Sequence, residues 1–135
     1  MKIAISSIVP DTHADLFTKP AFAHLATVGA DGTPQVTPMW FECDGRDLLF
    51  STLKTRRKYL NALRDPRVTI AISDPDNPYR YLQITGEAEV EDDVEADLIA
   101  ALVRKYLGEG IYPWDEQGAD RVTIRVRCRK VCAFG

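Results

Sequence analysis

The stretch from Tyr81 to Val90 constrains the fold most. Leu82, Ile84, Ala88 and Val90 fall on one parity, and Gln83, Thr85, Glu87 and Glu89 on the other. Side chains of a strand alternate between faces, so this segment fits a sheet with one covered face and one wet face, and not a helix. Gly86 sits on the apolar parity, where it suits a bend or the close approach of another strand. Arg121 to Arg129 alternates in the same way, with Arg125, Arg127 and Arg129 on its polar side. The pattern slips at Lys130-Val131, which marks a bulge or a change of neighbour.

Other segments share this grammar. Phe22 to Val28 and Thr33 to Phe41 read as strands joined by the turn Gly29-Ala30-Asp31-Gly32. Pro38 cannot donate to a ladder, so the second of these strands is expected to be bulged there or to lie at an edge. After the turn Asp44 to Asp47 comes a strand from Leu48 to Thr52, and Arg67 to Ser73 reads as a central strand. Asp74-Pro75-Asp76-Asn77-Pro78 reads as a loop.

Helical spacing is sparse. Asp11 or Thr12 is expected to cap a short helix ending near Phe17, with Met1 to Ser7 as a tail. A second helix is expected over Thr55–Arg64, stopped by Asp65-Pro66. A third follows the acidic Glu91-Asp92-Asp93 and carries Leu98, Ile99, Leu102, Val103 and Tyr106 on one stripe up to Gly108. The whole is expected to be a single domain over residues 1–135, mainly β with a few helices, in a closed or nearly closed antiparallel barrel.

Composition narrows the function. With 135 residues the chain can bury a core without disulfide staples, and its three cysteines have no paired, zinc-like spacing. The net charge of −3 argues against a general nucleic-acid binder. No apolar run is long enough to span a bilayer, and the apolar N-terminal stretch is too short for a signal peptide; a cytoplasmic protein is expected, with no membrane partner. The sequence has no nucleophile elbow, Walker loop, dinucleotide fingerprint or metal-ligand cluster, and no catalytic acid or base stands out.

One stretch remains unexplained by folding alone. Ser51-Thr52-Leu53-Lys54-Thr55 leads into Arg56-Arg57-Lys58 at the expected start of a helix. Cations there meet the positive end of the helix dipole, at a cost of about 0.3–1 kcal/mol each. A charge run is ordinarily a solvated face, but an anion at this place would reverse the penalty. Amides, hydroxyls and cations would then converge on one phosphate. Such a site suits a phosphorylated cofactor that brings its own chemistry.

The run Phe22 to Phe41, followed by Leu48-Leu49-Phe50-Ser51-Thr52, Arg56-Arg57-Lys58, Asn61, Arg64-Asp65-Pro66-Arg67-Val68, Asp74 to Tyr81 and Gly86-Glu87-Ala88, resembles the pyridoxamine 5′-phosphate oxidase-like flavin and deazaflavin oxidoreductases. It is most similar to the small enzymes among them that use deazaflavin F420, over about residues 8–106. The resemblance implies a split antiparallel β-barrel of the FMN-binding-protein type and a homodimer with cofactor sites at the subunit interface. It implies that Arg56 and Lys58, helped by Ser51, Thr52 and Arg57, hold the cofactor phosphate. It places Thr37, Pro38 and Met39 along the tricyclic ring, and Tyr79, Tyr81 and Trp114 on the partner or substrate side. The implied activity is hydride transfer from reduced F420 to a small electron-poor organic acceptor. FMN is the alternative cofactor, and a non-catalytic flavin or deazaflavin carrier the alternative role.

Overall fold

The computed structural model describes residues 4–109 and 119–135. Its strands are β1 (Ala23–Val28), β2 (Pro34–Met39), β3 (Glu42–Cys43), β4 (Leu48–Leu53), β5 (Arg67–Asp74), β6 (Asn77–Asp92) and β7 (Arg121–Phe134). They form one antiparallel sheet in the order β2-β1-β5-β6-β7-β4-β3. Two α-helices, α1 (Arg57–Arg64) and α2 (Asp97–Leu107), pack against it.

The connection between β2 and β3 dictates the shape. These strands lie at opposite edges of the sheet, yet only Trp40 and Phe41 separate them in the chain. Three Cα steps from Met39 to Glu42 reach at most ~11 Å. The sheet must therefore curl until its edges approach one another, as a half-barrel. Phe41, Phe50, Leu25, Ile70, Ile72, Leu82, Ile84 and Ile124 fill the inside and are fully buried.

Pro38 lies on the edge strand β2, opposite His24, where a missing N–H leaves no ladder bond unmade. The slip foreseen in the last strand is a bulge one residue earlier, at Arg129. Thr85 pairs with Lys130 and Gly86 with Cys128, leaving Arg129 as the extra residue. The bulge presses on Gly86, where a Cβ would stand 2.4 Å from the Arg127 carbonyl oxygen, so a side chain cannot be added without moving backbone.

Several boundaries differ from the sequence expectation. The second strand does not run through Phe41: it stops at Met39, and β3 is an additional strand. The expected loop at Asp74–Pro78 contracts to a tight turn, because Asp74 pairs with Asn77. The Asp74 carboxylate accepts from the Asp76 amide, Lys19 and Arg80, which fastens that turn. Glu91 and Asp92 belong to β6; only Asp93 serves α2, accepting from the amides of Asp97 and Leu98 at 3.1 Å each. Asp11–Phe17 is a 3-10 rather than an α-helix, following Pro10 with no side-chain cap. Its His13 is pulled to the sheet, Nε2 lying 2.8 Å from the Phe134 carbonyl oxygen, which favours a tighter winding.

Candidate functional site

The strand β4 delivers Ser51 and Thr52 to the rim of the half-barrel, both buried. The chain then turns, with the Arg56 amide bonded to the Leu53 carbonyl at 3.0 Å. Helix α1 begins at Arg57 rather than Thr55, and Arg56 is the cap residue, with no side-chain bond closing the helix end. Asn61, on the buried face of α1, donates to Thr27 at 3.0 Å and fixes the helix against β1. The Thr27 hydroxyl donates to Gln35 at 3.1 Å.

A cleft of about 320 Å³ opens beside this helix start. One part of its wall consists of Ser51, Thr52, Arg56, Lys58 and Arg121. The remainder is largely apolar: Phe22, Pro38, Met39, Leu53, Ile99 and Leu102, with Trp40 among them. No carboxylate is found among the described residues of the lining. Lys58 is half-buried, and burial followed by the nearby Arg56 charge holds its ammonium below the ordinary lysine range. Among the described residues, Arg56, Arg57 and Lys58 make no side-chain hydrogen bond or ion pair. Arg121 reaches the cleft because β7 sets it opposite Leu53, and its Nη1 donates to the Ser51 hydroxyl at 3.4 Å.

The cleft thus brings together Pro38, Met39, Ser51, Thr52, Arg56 and Lys58 from three separate elements. Arg57 is exposed beside it and does not line it. Thr37 lies one residue before the lining; its hydroxyl oxygen is buried without a hydrogen-bond partner among the described residues. Tyr79 is 86 % exposed on β6, and Tyr81 stacks on Phe134 at 4.7 Å; neither lines the cleft. Trp114 lies outside the described residues.

Sequence reasoning missed Phe22, Trp40, Leu53, Ile99, Leu102 and Arg121. The helical stripe of α2 announced that Ile99 and Leu102 are covered, but not that they cover a cleft. For Arg121 a signal existed: it shares the parity of Arg125, Arg127 and Arg129. Only the β4–β7 register puts it beside Ser51 rather than in that row.

Comparison with known proteins agrees with the fold. Residues 9–133 match the pyridoxamine 5′-phosphate oxidase family. A solved structure named as an F420 reductase is 41% identical, covers 92% of this chain and 98% of its own, and superposes with a TM-score of 0.83. A conserved hypothetical protein from Mycobacterium tuberculosis is 26% identical over 99% of this chain and 89% of its own, with a TM-score of 0.76. The General Stress Protein 26 from Bacillus anthracis shares the fold at 18% identity and a TM-score of 0.63, each chain being covered to 88%.

Proposed function

The chain belongs to the pyridoxamine 5′-phosphate oxidase family, and from that premise we propose that it is an F420-dependent reductase acting on a small electron-poor organic acceptor. Family and fold point to an oxidoreductase of the flavin or deazaflavin type. The finer choice of F420 over FMN is supported by the 41% identity to a protein named F420 reductase.

The observation that carries the reading is the two-ended cleft. Its polar end offers Arg56 and Lys58, which meet no carboxylate among the described residues, beside Arg121 and the hydroxyls of Ser51 and Thr52, which fits a phosphate. Its apolar end, with Pro38, Met39 and Phe22, fits a flat ring system. The Thr37 hydroxyl, two residues before Met39 and without a partner among the described residues, is a buried group in want of a polar atom, which a ring edge would supply.

When bound, the cofactor supplies hydride chemistry, and the protein's own residues orient and enclose. Arg56 and Lys58 neutralise the phosphate, Ser51 and Thr52 donate to it, and Arg121 orients the Ser51 hydroxyl by donating to its oxygen. Ile99 and Leu102 exclude water from the ring side.

We also read the protein as a homodimer. On the outer face, register aligns Pro38, His24, Ala71, Gln83 and Cys132 in one row, with no Asp, Glu, Lys or Arg among them. Val36, Ala26, Thr69 and Thr85 form the next, which ends on β7 at Lys130, and Val36 is 61% exposed. A two-fold contact sets a patch against itself, so the part of these rows from β2 to β6, which holds no Asp, Glu, Lys or Arg, limits like-charge repulsion. The face reaches the cleft through Pro38, which supports cofactor sites near the interface.

Equilibrium titration of the purified protein with F420 and with FMN tests the assignment. Tighter binding of F420, and reoxidation of reduced F420 by a quinone faster than without protein, are expected. Binding of neither cofactor overturns the reading; binding without accelerated reoxidation favours a carrier.

A further inference from the structure

We infer that Tyr106 is a positioning residue that fixes the aromatic wall of the cleft, an inference that rests on the cofactor reading above. Phe22 and Trp40 both line the cleft, yet neither belongs to a strand or helix. Phe22 precedes β1 and is 53% exposed; Trp40 lies in the two-residue crossing between the sheet edges. Backbone in such places has no ladder to hold it, so something else must set where these rings stand.

Tyr106, near the end of α2, touches both. Its ring stacks on Trp40 at 5.1 Å with an interplanar angle of 8°, and meets Phe22 at 6.1 Å and 43°. Its hydroxyl donates to the Ala21 carbonyl at 2.5 Å and accepts from the Phe41 amide at 3.2 Å. Ala21 immediately precedes Phe22, and Phe41 immediately follows Trp40. One side chain therefore braces two wall residues by ring contact and pins the backbone next to each of them.

Lys105 reinforces the same backbone. Its Nζ donates to the carbonyls of Phe17 and Phe41 at 2.9 and 2.8 Å and lies 4.0 Å from the Phe41 ring centroid. Burial pushes the Tyr106 phenol up to about 12, so the hydroxyl remains a donor throughout the neutral range. A residue needed only to fill space at this point would be served by phenylalanine. The hydroxyl, bonded on both sides of the wall, is the part that a filling role leaves unexplained.

Tyr106→Phe keeps the stacked ring and removes both bonds. Dissociation constants for FMN and for inorganic phosphate are measured by titration. The variant is expected to bind FMN about tenfold more weakly, the equivalent of one or two lost hydrogen bonds, with phosphate affinity unchanged. Unchanged FMN affinity, or an equal loss for FMN and phosphate, overturns the proposal. If Tyr106→Phe does not fold, Lys105→Met, which frees the Phe17 and Phe41 carbonyls, carries the same test with the same outcomes.

Wild-type protein that binds neither FMN nor F420 defeats the cofactor reading instead. The positioning role is then read without ligand, from acrylamide quenching of Trp40 in a Trp114→Phe background, where Trp40 is the sole tryptophan. Quenching is expected to rise in Tyr106→Phe; no change overturns the role.

Discussion

Two triplets of cations in this protein have nearly the same composition and opposite circumstances. Arg125, Arg127 and Arg129 stand at alternate positions of β7, beside the alternate acids of β6. Arg127 meets Glu89 at 2.6 Å and Arg129 meets Glu87 at 2.7 Å. Arg125 meets Glu91, Asp44 and Asp47 at 2.6, 2.9 and 3.2 Å. Arg56, Arg57 and Lys58 stand where a helix begins, where cations are disfavoured, and have no acid among the described residues. The first triplet is internally neutralised and joins β7 to β6 and to the turn before β4. The second is left with uncompensated charge, and two of its members line the cleft. Cation count alone does not separate an anion site from a structural ladder; the partners do.

The largest expected effect comes from removing the uncompensated set. Arg56→Ala with Lys58→Ala is expected to weaken F420 and FMN binding by about 100-fold, since a bond to a charged group contributes about 1.5–3 kcal/mol. The melting temperature should stay nearly constant. Isothermal titration and a thermal melt together check this; a large fall in stability with intact binding would invert the comparison.

Removing the compensated set should do the reverse. Arg125→Ala leaves three carboxylates facing one another, and a loss of about 1–2 kcal/mol is expected, or about 3–8 °C in melting temperature. Cofactor affinity should not change. A drop in cofactor affinity would mean that the β7 row also meets the ligand.

The smallest effect sharpens the comparison at one residue. The ligand-free protein holds Lys58 with its pKa lowered by burial, so its charged form costs stability at neutral pH. Lys58→Met is therefore expected to raise the melting temperature slightly while weakening phosphate binding. The gain should be present at neutral pH and shrink as pH rises through the lowered folded-state pKa toward the ordinary 10.5, because the wild-type lysine then sheds the charge. A melt series in alkaline buffers checks the sign, and a gain that grows with pH would refute it.

Much of the fold was legible because period-two alternation is a local property. Leu82, Ile84, Ala88 and Val90 face as the alternation requires, and the slip late in β7 pointed to the bulge at Arg129. The boundaries were less legible where long-range contacts intervene. The turn at Asp74 is shortened by Lys19 and Arg80, and the 3-10 form of Asp11–Phe17 goes with the tie from His13 to Phe134. In the site, Ser51, Thr52, Arg56 and Lys58 were visible from their spacing, because they lie within one short segment. Phe22, Ile99, Leu102 and Arg121 come from elements far apart in sequence, and no local pattern joins them.

By itself, then, the sequence determined the strand periodicity, the turns and the placement of cations at a helix start, since each depends on neighbours along the chain. The tertiary structure decided which cations meet acids among the described residues. It curled the sheet so that β2 could pass into β3 through Trp40 and Phe41, and it brought Tyr106 beneath that crossing. These outcomes depend on register and closure, which arise only when distant segments share one sheet and one core.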